Sequence, residues 1–403
     1  MGKQLRMMVG NKLKMIFSFS FIKLIIDLIF KYIPINLYVN FFCHKEQCWL
    51  ITERPTEARD NGYYLCKWIS ENHPEIRIIY AIKQNSRDYS KVKDLCETIE
   101  YGSIRHWFYY FHASICCDTG WGICCPNSYC YLLMRNVFPP QNKRVFLQHG
   151  IIKDYMTQGI KIKLNADVFV CGAYPEWKYI SENYGYENNE VKYLGLCRYD
   201  HLINCATSKK ILYMPTWRIY LENNNNIKTT VYFKTISSFL TSVGLNNFLE
   251  ENDIELIYFL HPHIKTWKTL FDGFANKRIK IYNNDTYDLQ KLICECNALI
   301  TDFSSIYFDF AYQYKPIIYF HFDYDLYREN HYKEGYFNYS SDGFGPIVKN
   351  EDSLIREMKK IVDDDWKVND IYIKRADSFF LIRDKSNCQR HYDVLCELEE
   401  NKI

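Results

Sequence analysis

The sequence has four places where an apolar run stops at polar residues that can move a proton or bind an anion. In "VFLQHGIIKDY" the run stops at His149 and Gly150, and Lys153 follows shortly afterwards. A histidine titrates near neutral pH and can act as a general base, and glycine lets the backbone approach a ligand closely. The same residue types form ordinary turns at strand ends, so this spacing alone leaves both catalysis and a plain turn open.

Two further apolar runs end at turns that contain proline. "ILYMPTWR" ends at Pro215, after which Thr216 offers a hydroxyl and a backbone N–H to a ligand. "IELIYFLHPH" ends at His261, and the proline that follows pushes His261 into an extended conformation. Taken alone, His261 is explained equally well as a ligand-binding residue and as a surface histidine.

The fourth place is "ALITDFSSIYFDFA", residues 298–311. Its apolar start predicts a buried strand, and Ser304 and Ser305 predict a helix start whose free N–H groups and dipole hold an anion such as phosphate. Plain capping of the helix by serine is the simpler alternative. Asp309 lies one helical turn later among apolar residues. Because burying an unpaired carboxylate is costly, we expect Asp309 to face solvent or to bind ligand hydroxyls.

These four places are embedded in a regular alternation of strands and helices, which predicts parallel sheets covered on both faces. Ligands of such sheets gather beyond the carboxyl ends of the strands. The sequence therefore predicts an α/β protein with two Rossmann-like domains facing a cleft, with boundaries at 1–40, 41–205 and 206–403. The predicted strands lie in "QCWLITER", "IRIIYAIK", "ICCDTG", "KRVFLQHG", "ADVFVCGA", "VKYLGL", "KKILYMPTWR", "IELIYFLHPH", "KRIKIYN", "NALITDF" and "KPIIYFHF". A helix is predicted in "ARDNGYYLCKWISENHP", with its start near Asp60 or Asn61. The segment "LENNNNIKTT" is predicted to be a surface loop.

Composition narrows the class of partner and cofactor. The 403 residues are 48% hydrophobic and 24% charged, which is typical of a globular protein, and the net charge of +2 gives no support to nucleic-acid binding. The sixteen cysteines lie mostly on apolar segments and lack the paired spacing of structural zinc sites, so we interpret them as reduced core thiols. No Asp-x-Asp pair ends a predicted strand. We expect neither a metal ion nor a cofactor.

The segment 1–40 predicts an amphipathic helix at a membrane surface. Ser20, Lys23, Asp27 and Lys31 recur at helical spacing and form one polar stripe on an otherwise apolar helix. Its lysines, which include Lys12 and Lys14, favour anionic lipid head groups. Packing of this helix against the protein and a short membrane span are the two alternatives.

Seven motifs follow one another in the order of a known family. They are "QHGIIK", "GLCRYD", "YMPTWR", "FLHPH", "ALITDFSSIYFDFA", "KPIIYF" and "GFGPIV". With them the chain resembles the CDP-glycerol glycerophosphotransferases, which prime and extend teichoic acids and related phosphopolyol polymers, most strongly over residues 140–385. "ITERPTEARDNGYYL" looks like the first domain of a capsule-type branch of that family. The resemblance implies two domains in the GT-B arrangement, with the nucleotide held mainly by the second.

The resemblance also implies which residues form the site. His149 is expected to be the catalytic base, and His261 a second catalytic residue that stabilises the leaving phosphate. Many relatives have Thr-Pro or Thr-Leu where this chain has Ile151 and Ile152, so only backbone contacts are expected there. The donor-binding residues carried over are His149, Gly150, Ile151, Ile152, Lys153, Arg198, Pro215, Thr216, Phe259, Leu260, His261, Ser304, Ser305 and Asp309.

The activity that the resemblance implies is the transfer of glycerol phosphate or ribitol phosphate from CDP-glycerol or CDP-ribitol. The expected acceptor is a lipid-linked glycan or a growing polyol-phosphate chain at the cytoplasmic face of the cell membrane, and CMP is the leaving group. Two alternatives are a GT-B glycosyltransferase that uses sugar nucleotides for surface polysaccharide, and a non-catalytic binding protein at the membrane.

Overall fold

The computed structural model of the chain describes residues 19–43, 46–222, 226–261, 264, 267–330 and 332–400. Lys12 and Lys14, which were assigned to membrane binding, lie outside these ranges. The described residues form two lobes, each built on a sheet in which every strand pairing is parallel. The prediction of an α/β protein with two doubly wound domains is confirmed.

The first lobe contains a seven-stranded sheet in the order β3-β2-β1-β4-β5-β6-β7. Its strands are β1 (Glu46–Thr52), β2 (Arg77–Ile82), β3 (Glu97–Glu100), β4 (Ala113–Asp118), β5 (Lys143–Phe146), β6 (Val168–Cys171) and β7 (Val191–Tyr193). Its helices are α1 (Phe19–Asp27), a π-helical turn (Leu28–Tyr32), α2 (Ile33–Phe42), α3 (Asn61–Asn72), α4 (Tyr89–Val92), α5 (Ile104–His112), α6 (Ser128–Met134), α7 (Lys161–Leu164), α8 (Tyr174–Asn183) and a 3-10 turn (Cys197–His201).

The second lobe contains a six-stranded sheet in the order β10-β9-β8-β11-β12-β13. Its strands are β8 (Lys210–Met214), β9 (Glu255–Phe259), β10 (Ile279–Tyr282), β11 (Ala298–Thr301), β12 (Ile317–Phe320) and β13 (Ile347–Val348). Its helices are α9 (Ile219–Glu222), a 3-10 turn (Ile227–Thr229), α10 (Val231–Thr241), α11 (Val243–Glu251), α12 (Lys268–Asp272), α13 (Leu289–Glu295), α14 (Ile306–Tyr312), α15 (Tyr324–Asn330), α16 (Tyr339–Asp342), α17 (Glu351–Asp363) and α18 (Asp370–Phe379), and the chain ends in α19 (Asn387–Glu400).

The central strands are buried on both faces, as their sequences require. All residues of β4 and of β11 are buried, because helices cover each sheet on both sides and leave no water-facing row. The last helix, α19, returns to the first lobe, where Cys388 lies against the backbone carbonyl of Cys197. The end of the predicted 206–403 domain therefore packs on the other lobe. All sixteen cysteines are free thiols.

The orientation of the N-terminal helices differs from the one expected for a lipid-facing amphipathic helix. Asp27 is buried and accepts hydrogen bonds from Asn127 (2.9 Å) and Lys31 (2.7 Å), so this part of the polar stripe faces the first lobe. Apolar Ile29 and Phe30 are exposed instead. Within the described ranges no helix is both long enough and apolar enough to span a membrane.

Candidate active site

His149 lies just beyond the carboxyl end of β5, as the strand pattern predicted. The residue before it, Gln148, has a φ of 62° and is completely buried. A non-glycine residue in this left-handed region is uncommon and costs conformational energy, which the surrounding contacts must offset. The side chain of His149, which follows this bend, is 66% exposed.

His149 forms a pair with a carboxylate that the sequence analysis did not assign to the site. Its Nδ1 is hydrogen-bonded to Oδ2 of Asp60, the N-cap residue of α3. Burial opposes ionisation of Asp60, but the nearby charges of His149 and Arg198 hold its pKa below the usual value. An ionised Asp60 accepts a proton-bearing Nδ1, and this tautomer leaves the lone pair of His149 on Nε2.

Asp60 is itself held by a second buried carboxyl group. The carboxylate oxygens of Glu53, just after β1, accept the backbone N–H groups of Arg59 (2.9 Å), Asp60 (3.0 Å) and Tyr63 (2.6 Å). Burial and the charge of Asp60 raise the pKa of Glu53 to about 8, against the amides that lower it. Glu53 thereby fixes the turn that presents Asp60 to the imidazole.

Arg198 connects the two lobes beneath His149. Its guanidinium donates to both oxygens of Asp309 on α14, at 3.0 Å and 3.1 Å, and lies 3.4 Å from Oδ1 of Asp60. It also donates to the backbone carbonyl of His149 at 2.9 Å. Paired and hydrogen-bonded in this way, a buried guanidinium holds both lobes in register around the histidine.

The backbone of Gly150 lies against the start of α14 in the other lobe. A Cβ atom at Gly150 would lie 3.3 Å from the hydroxyl oxygen of Ser305, so a larger residue would require the Ser305 side chain to shift by a few tenths of an ångström. Ser304 and Ser305 are partly exposed, and the Ser305 hydroxyl makes no capping bond to its own helix. The predicted strand and helix of this segment are β11 and α14.

The "PTWR" and "TDF" segments are joined by a buried ion network. Arg218 is fully buried and donates to Asp302 (2.8 Å) and to Asp323 (2.6 Å). The backbone N–H of Thr216 also donates to Asp302, at 2.7 Å. The Thr216 hydroxyl is buried and has no hydrogen-bond partner among the residues that the structure describes. Pro215 is buried and fixes this turn.

Several residues expected to contact the donor have other positions. Arg198 and Asp309 are buried and bind each other, because each compensates the charge of the other, and neither offers an open face to a ligand. Lys153 is buried and its ammonium is bound to Asp154, and burial lowers its pKa despite that partner. Direct donor contact by these three side chains stays a prediction, and it would require each of them to exchange its present partner for the ligand.

The apolar members of the expected set lie in the hydrophobic cores. Ile151 and Ile152 are buried in two neighbouring core clusters, and the N–H of Ile152 is taken by Glu176 at 2.6 Å. Phe259 and Leu260 are completely buried on either side of the second sheet, and their contact with the donor stays a prediction. His261 is half-buried, with its ring centre 6.2 Å from that of Trp217.

The sequence analysis missed Asp60, Glu53 and Glu176. Asp60 was recognised only as a helix start, and its partner His149 is 89 residues away, so local spacing carries no signal for the pair. Glu176 had no signal beyond its place near the start of a helix. In the part of the chain that the structure describes, no three histidine, cysteine or acidic side chains are grouped as a metal site would need.

Two facing lobes, each with a parallel sheet and with the site between them, define a protein of the GT-B class. The family model of CDP-glycerol:poly(glycerophosphate) glycerophosphotransferase matches residues 34–397, and the chain belongs to that family. The chain is 30% identical to the minor teichoic acid biosynthesis protein GgaB of Bacillus subtilis strain 168 over 89% of its own length and 41% of GgaB.

Other relatives and a solved structure agree with this assignment. A teichoic acid glycerol-phosphate transferase of Staphylococcus aureus is 27% identical over 45% of this chain and 43% of its own. A variant of the wall teichoic acid polymerase TagF soaked with CDPG has the same fold, with a TM-score of 0.69 at 16% identity, over 95% of this chain and 98% of that one. The chain spans about two fifths of the length of GgaB, and its match with the S. aureus transferase likewise covers about two fifths of that protein.

Proposed function

We propose that this chain transfers a polyol phosphate, glycerol phosphate or ribitol phosphate, from a CDP-polyol to a hydroxyl group of a teichoic-acid-like acceptor and releases CMP. The observation that carries the proposal is the exposed His149 imidazole, oriented by Asp60 and placed next to the contact of Gly150 with Ser305. A donor bound by one lobe meets an acceptor bound by the other at the junction of the lobes, and His149 lies beside this junction, where a general base is needed.

In the proposed reaction, Nε2 of His149 removes the proton of the acceptor hydroxyl. The freed oxygen attacks the phosphorus next to the polyol, the bond from this phosphorus to the CMP oxygen breaks, and CMP leaves with the negative charge. Asp60 keeps Nδ1 protonated and stabilises the imidazolium that forms. Such general-base catalysis contributes about 10²- to 10⁴-fold to a rate.

The donor phosphates are proposed to lie against Ser304, Ser305, Thr216 and His261. The Thr216 hydroxyl is buried and has no hydrogen-bond partner among the described residues, and the partly exposed Ser305 hydroxyl makes no capping bond to its helix. A phosphate oxygen would give each hydroxyl a hydrogen-bond partner. The backbone of Gly150 approaches Ser305 from the other lobe and closes this space.

We further propose that the chain acts at the membrane surface, where a lipid-linked acceptor is available. Many exposed side chains of α1, of the π-helical turn after it, of α2 and of α6 are apolar. Large exposed apolar clusters of this kind mark interaction sites. The exposed apolar side chains include Ile22, Ile25, Ile26, Ile29, Phe30, Phe41, Phe42, Tyr129, Leu132 and Leu133.

The test is release of CMP by purified protein with acceptor-bearing membranes and, separately, CDP-glycerol, CDP-ribitol and UDP-sugars. Mass spectrometry of the product should show one added polyol phosphate. His149→Ala should remove turnover and leave the thermal melting temperature unchanged, because the side chain is exposed. Transfer from a UDP-sugar instead of a CDP-polyol would contradict the proposed donor.

A further inference from the structure

Two loops at the carboxyl edge of the first sheet carry basic side chains that the proposed reaction does not use. One loop, 53–60, follows β1, and the other, 83–88, follows β2. They are fastened together by two hydrogen bonds: Lys83 N–H donates to the carbonyl of Pro55 (2.8 Å), and the Ser86 hydroxyl donates to that of Thr56 (2.8 Å). We call this joined pair of loops the basic ledge.

A buried carboxylate makes the basic ledge rigid and ties it to the catalytic pair. Asp88 accepts hydrogen bonds from the backbone N–H of Ala58 (3.0 Å) and from the Arg59 side chain (2.7 Å). Asp60, the residue after Arg59, is hydrogen-bonded to His149. A ligand lying on the basic ledge therefore rests on the same backbone that positions the general base.

The most exposed charges of the basic ledge are positive. The Arg54 side chain is 53% exposed and forms an ion pair at 3.7 Å with Glu57, whose side chain is 20% exposed. Lys83 and Arg87 are exposed and pair with no carboxylate of the described residues. The acids of these loops already have partners: Glu53 is buried under backbone amides, Asp88 is buried against Arg59, Asp60 binds His149 and Glu57 pairs with Arg54. Glu100, at the end of β3, accepts the backbone N–H of Gln84 at 2.7 Å and is the acid that a ligand on the second loop would meet.

The order of the strands places these cations in a row that leads away from His149. From β5, which precedes His149, the sheet runs through β4 to β1 and then to β2. Neighbouring strands are about 4.8 Å apart, so the end of β1 lies about 10 Å and the end of β2 about 14 Å from the end of β5. Arg54 therefore comes first along this edge, followed by Lys83 and Arg87.

We propose that the basic ledge binds the phosphodiester chain of an anionic acceptor and leads its terminal hydroxyl to His149. This inference rests on the proposed function, since it names the class of acceptor for that same site. Arginine forks match phosphate oxygens, and lysine adds a mobile point charge, so repeated phosphates along a chain meet repeated cations. On a protein whose net charge is only +2, such binding must be local and sensitive to salt.

The experiment measures binding of a fluorescent glycerol phosphate oligomer by anisotropy, without donor, at low and at high sodium chloride. The triple variant Arg54→Ala, Lys83→Ala, Arg87→Ala should bind at least about tenfold more weakly at low salt, as expected for three lost charge contacts. Wild-type binding should weaken as salt rises, and the variant should lose most of this salt dependence.

A matched control removes three exposed lysines elsewhere, Lys178→Ala, Lys349→Ala and Lys367→Ala, and carries the same change in net charge. If both triple variants bind the oligomer equally well, the basic ledge is not the binding surface. The variant should also raise KM for an acceptor with many phosphates more than for one with a single phosphate, with KM for the donor unchanged. Absence of CMP release by the wild type would overturn the proposed reaction, whereas equal binding by both variants would overturn the basic ledge alone.

Discussion

At the scale of single residues, the proposed chemistry depends on which nitrogen of His149 carries the proton. Asp60 decides this, because its lowered pKa keeps it ionised and able only to accept a hydrogen bond. The carboxylate is 89 residues from the histidine in sequence and reaches it only because both follow strands of one sheet. Local sequence predicted that His149 follows a strand and that Ser305 starts a helix, whereas this pairing required the strand order.

Asp60→Asn should lower kcat by about 10²- to 10⁴-fold, because an amide at this position no longer stabilises the imidazolium and can favour the wrong tautomer. KM for the CDP-polyol should change little, since Asp60 lies in the other lobe from the proposed donor residues. Steady-state CMP release checks this. Asp94→Asn, at an 82% exposed side chain, is the control and should behave as wild type. Full activity of Asp60→Asn would remove Asp60 from the mechanism.

Arg198 and Asp309 illustrate a residue-scale expectation that the structure changed. A lone carboxylate in an apolar helix was expected to face solvent or ligand hydroxyls, because an unpaired buried charge is too costly. The cost is instead removed by an arginine 111 residues earlier in the chain. The energetic argument was sound, but no spacing rule identifies a partner supplied by the other lobe.

Asp309→Ala should therefore destabilise the fold by about 3 kcal/mol, because it removes the two-point partner of the buried Arg198 and leaves only the single 3.4 Å contact with Asp60 as counter-charge. Equilibrium unfolding in urea, followed by circular dichroism, measures this free energy. Asp94→Ala should change it by less than about 0.5 kcal/mol, as at other exposed sites. A variant at Asp309 as stable as the wild type would show that the ion pair does not hold the lobes.

At the scale of elements, the start of α8 supports the loop that carries His149. Glu176 accepts the N–H of Ile152 (2.6 Å), three residues after His149, and that of Gly172 (2.7 Å), just after β6. It is completely buried, and burial raises its pKa from 4.5 to about 7 despite these amides. One carboxyl group thus joins two strand ends through backbone contacts that side-chain patterns do not reveal.

Because the folded-state pKa of Glu176 is raised, its contribution to stability is fully present below pH 4.5 and is lost as pH rises to about 7. The difference in unfolding free energy between wild type and Glu176→Gln should therefore fall by roughly 1.4 kcal/mol per pH unit from pH 5 to 7, then stay level. Urea unfolding at several pH values tests this. A difference that does not change with pH would contradict the raised pKa.

The elements themselves were predictable to the extent that each had its own pattern. Apolar runs bounded by polar turns located the long central strands, and Asp60 marked the start of α3. The aromatic segment "HWFYYFHAS" was not predicted to be a helix, yet most of it forms α5. Strands β3 and β13 were missed, because one is only partly buried and the other has two residues, so neither shows a clear apolar run.

At the scale of the whole molecule, the lobes contact each other through both apolar and polar side chains: the ring centres of Tyr199 and Tyr312 lie 4.3 Å apart across the junction, and ion pairs lie beside them. Arg198 binds Asp309 across the junction, and Lys91 of the first lobe binds Asp288 of the second at 3.1 Å. The sequence predicted two lobes from two series of strands. Their mutual orientation depends on these long-range pairs and on the return of α19, which leave no mark on local periodicity.

The N-terminal helices give a whole-molecule prediction, since their exposed face would set how both lobes meet a membrane. Tyr32 and Val39 are buried in the core of the first lobe, so deleting this segment would disrupt the fold and test nothing. Ile29→Glu combined with Phe30→Glu changes only side chains that are 54% and 69% exposed. This variant should stay folded but lose flotation with vesicles of anionic phospholipid, because charges at these positions oppose insertion of the apolar face.

The control for the membrane experiment is Ile371→Glu, an isoleucine that is 50% exposed on α18 of the second lobe and away from these helices. It should float with the vesicles as the wild type does. Raising the salt concentration should weaken flotation only partly, because apolar burial, unlike attraction to anionic head groups, is not screened. Equal flotation of the double variant and the wild type would show that this face does not contact lipid, and the exposed side chains of α1 and α2 would then need a protein partner to cover them.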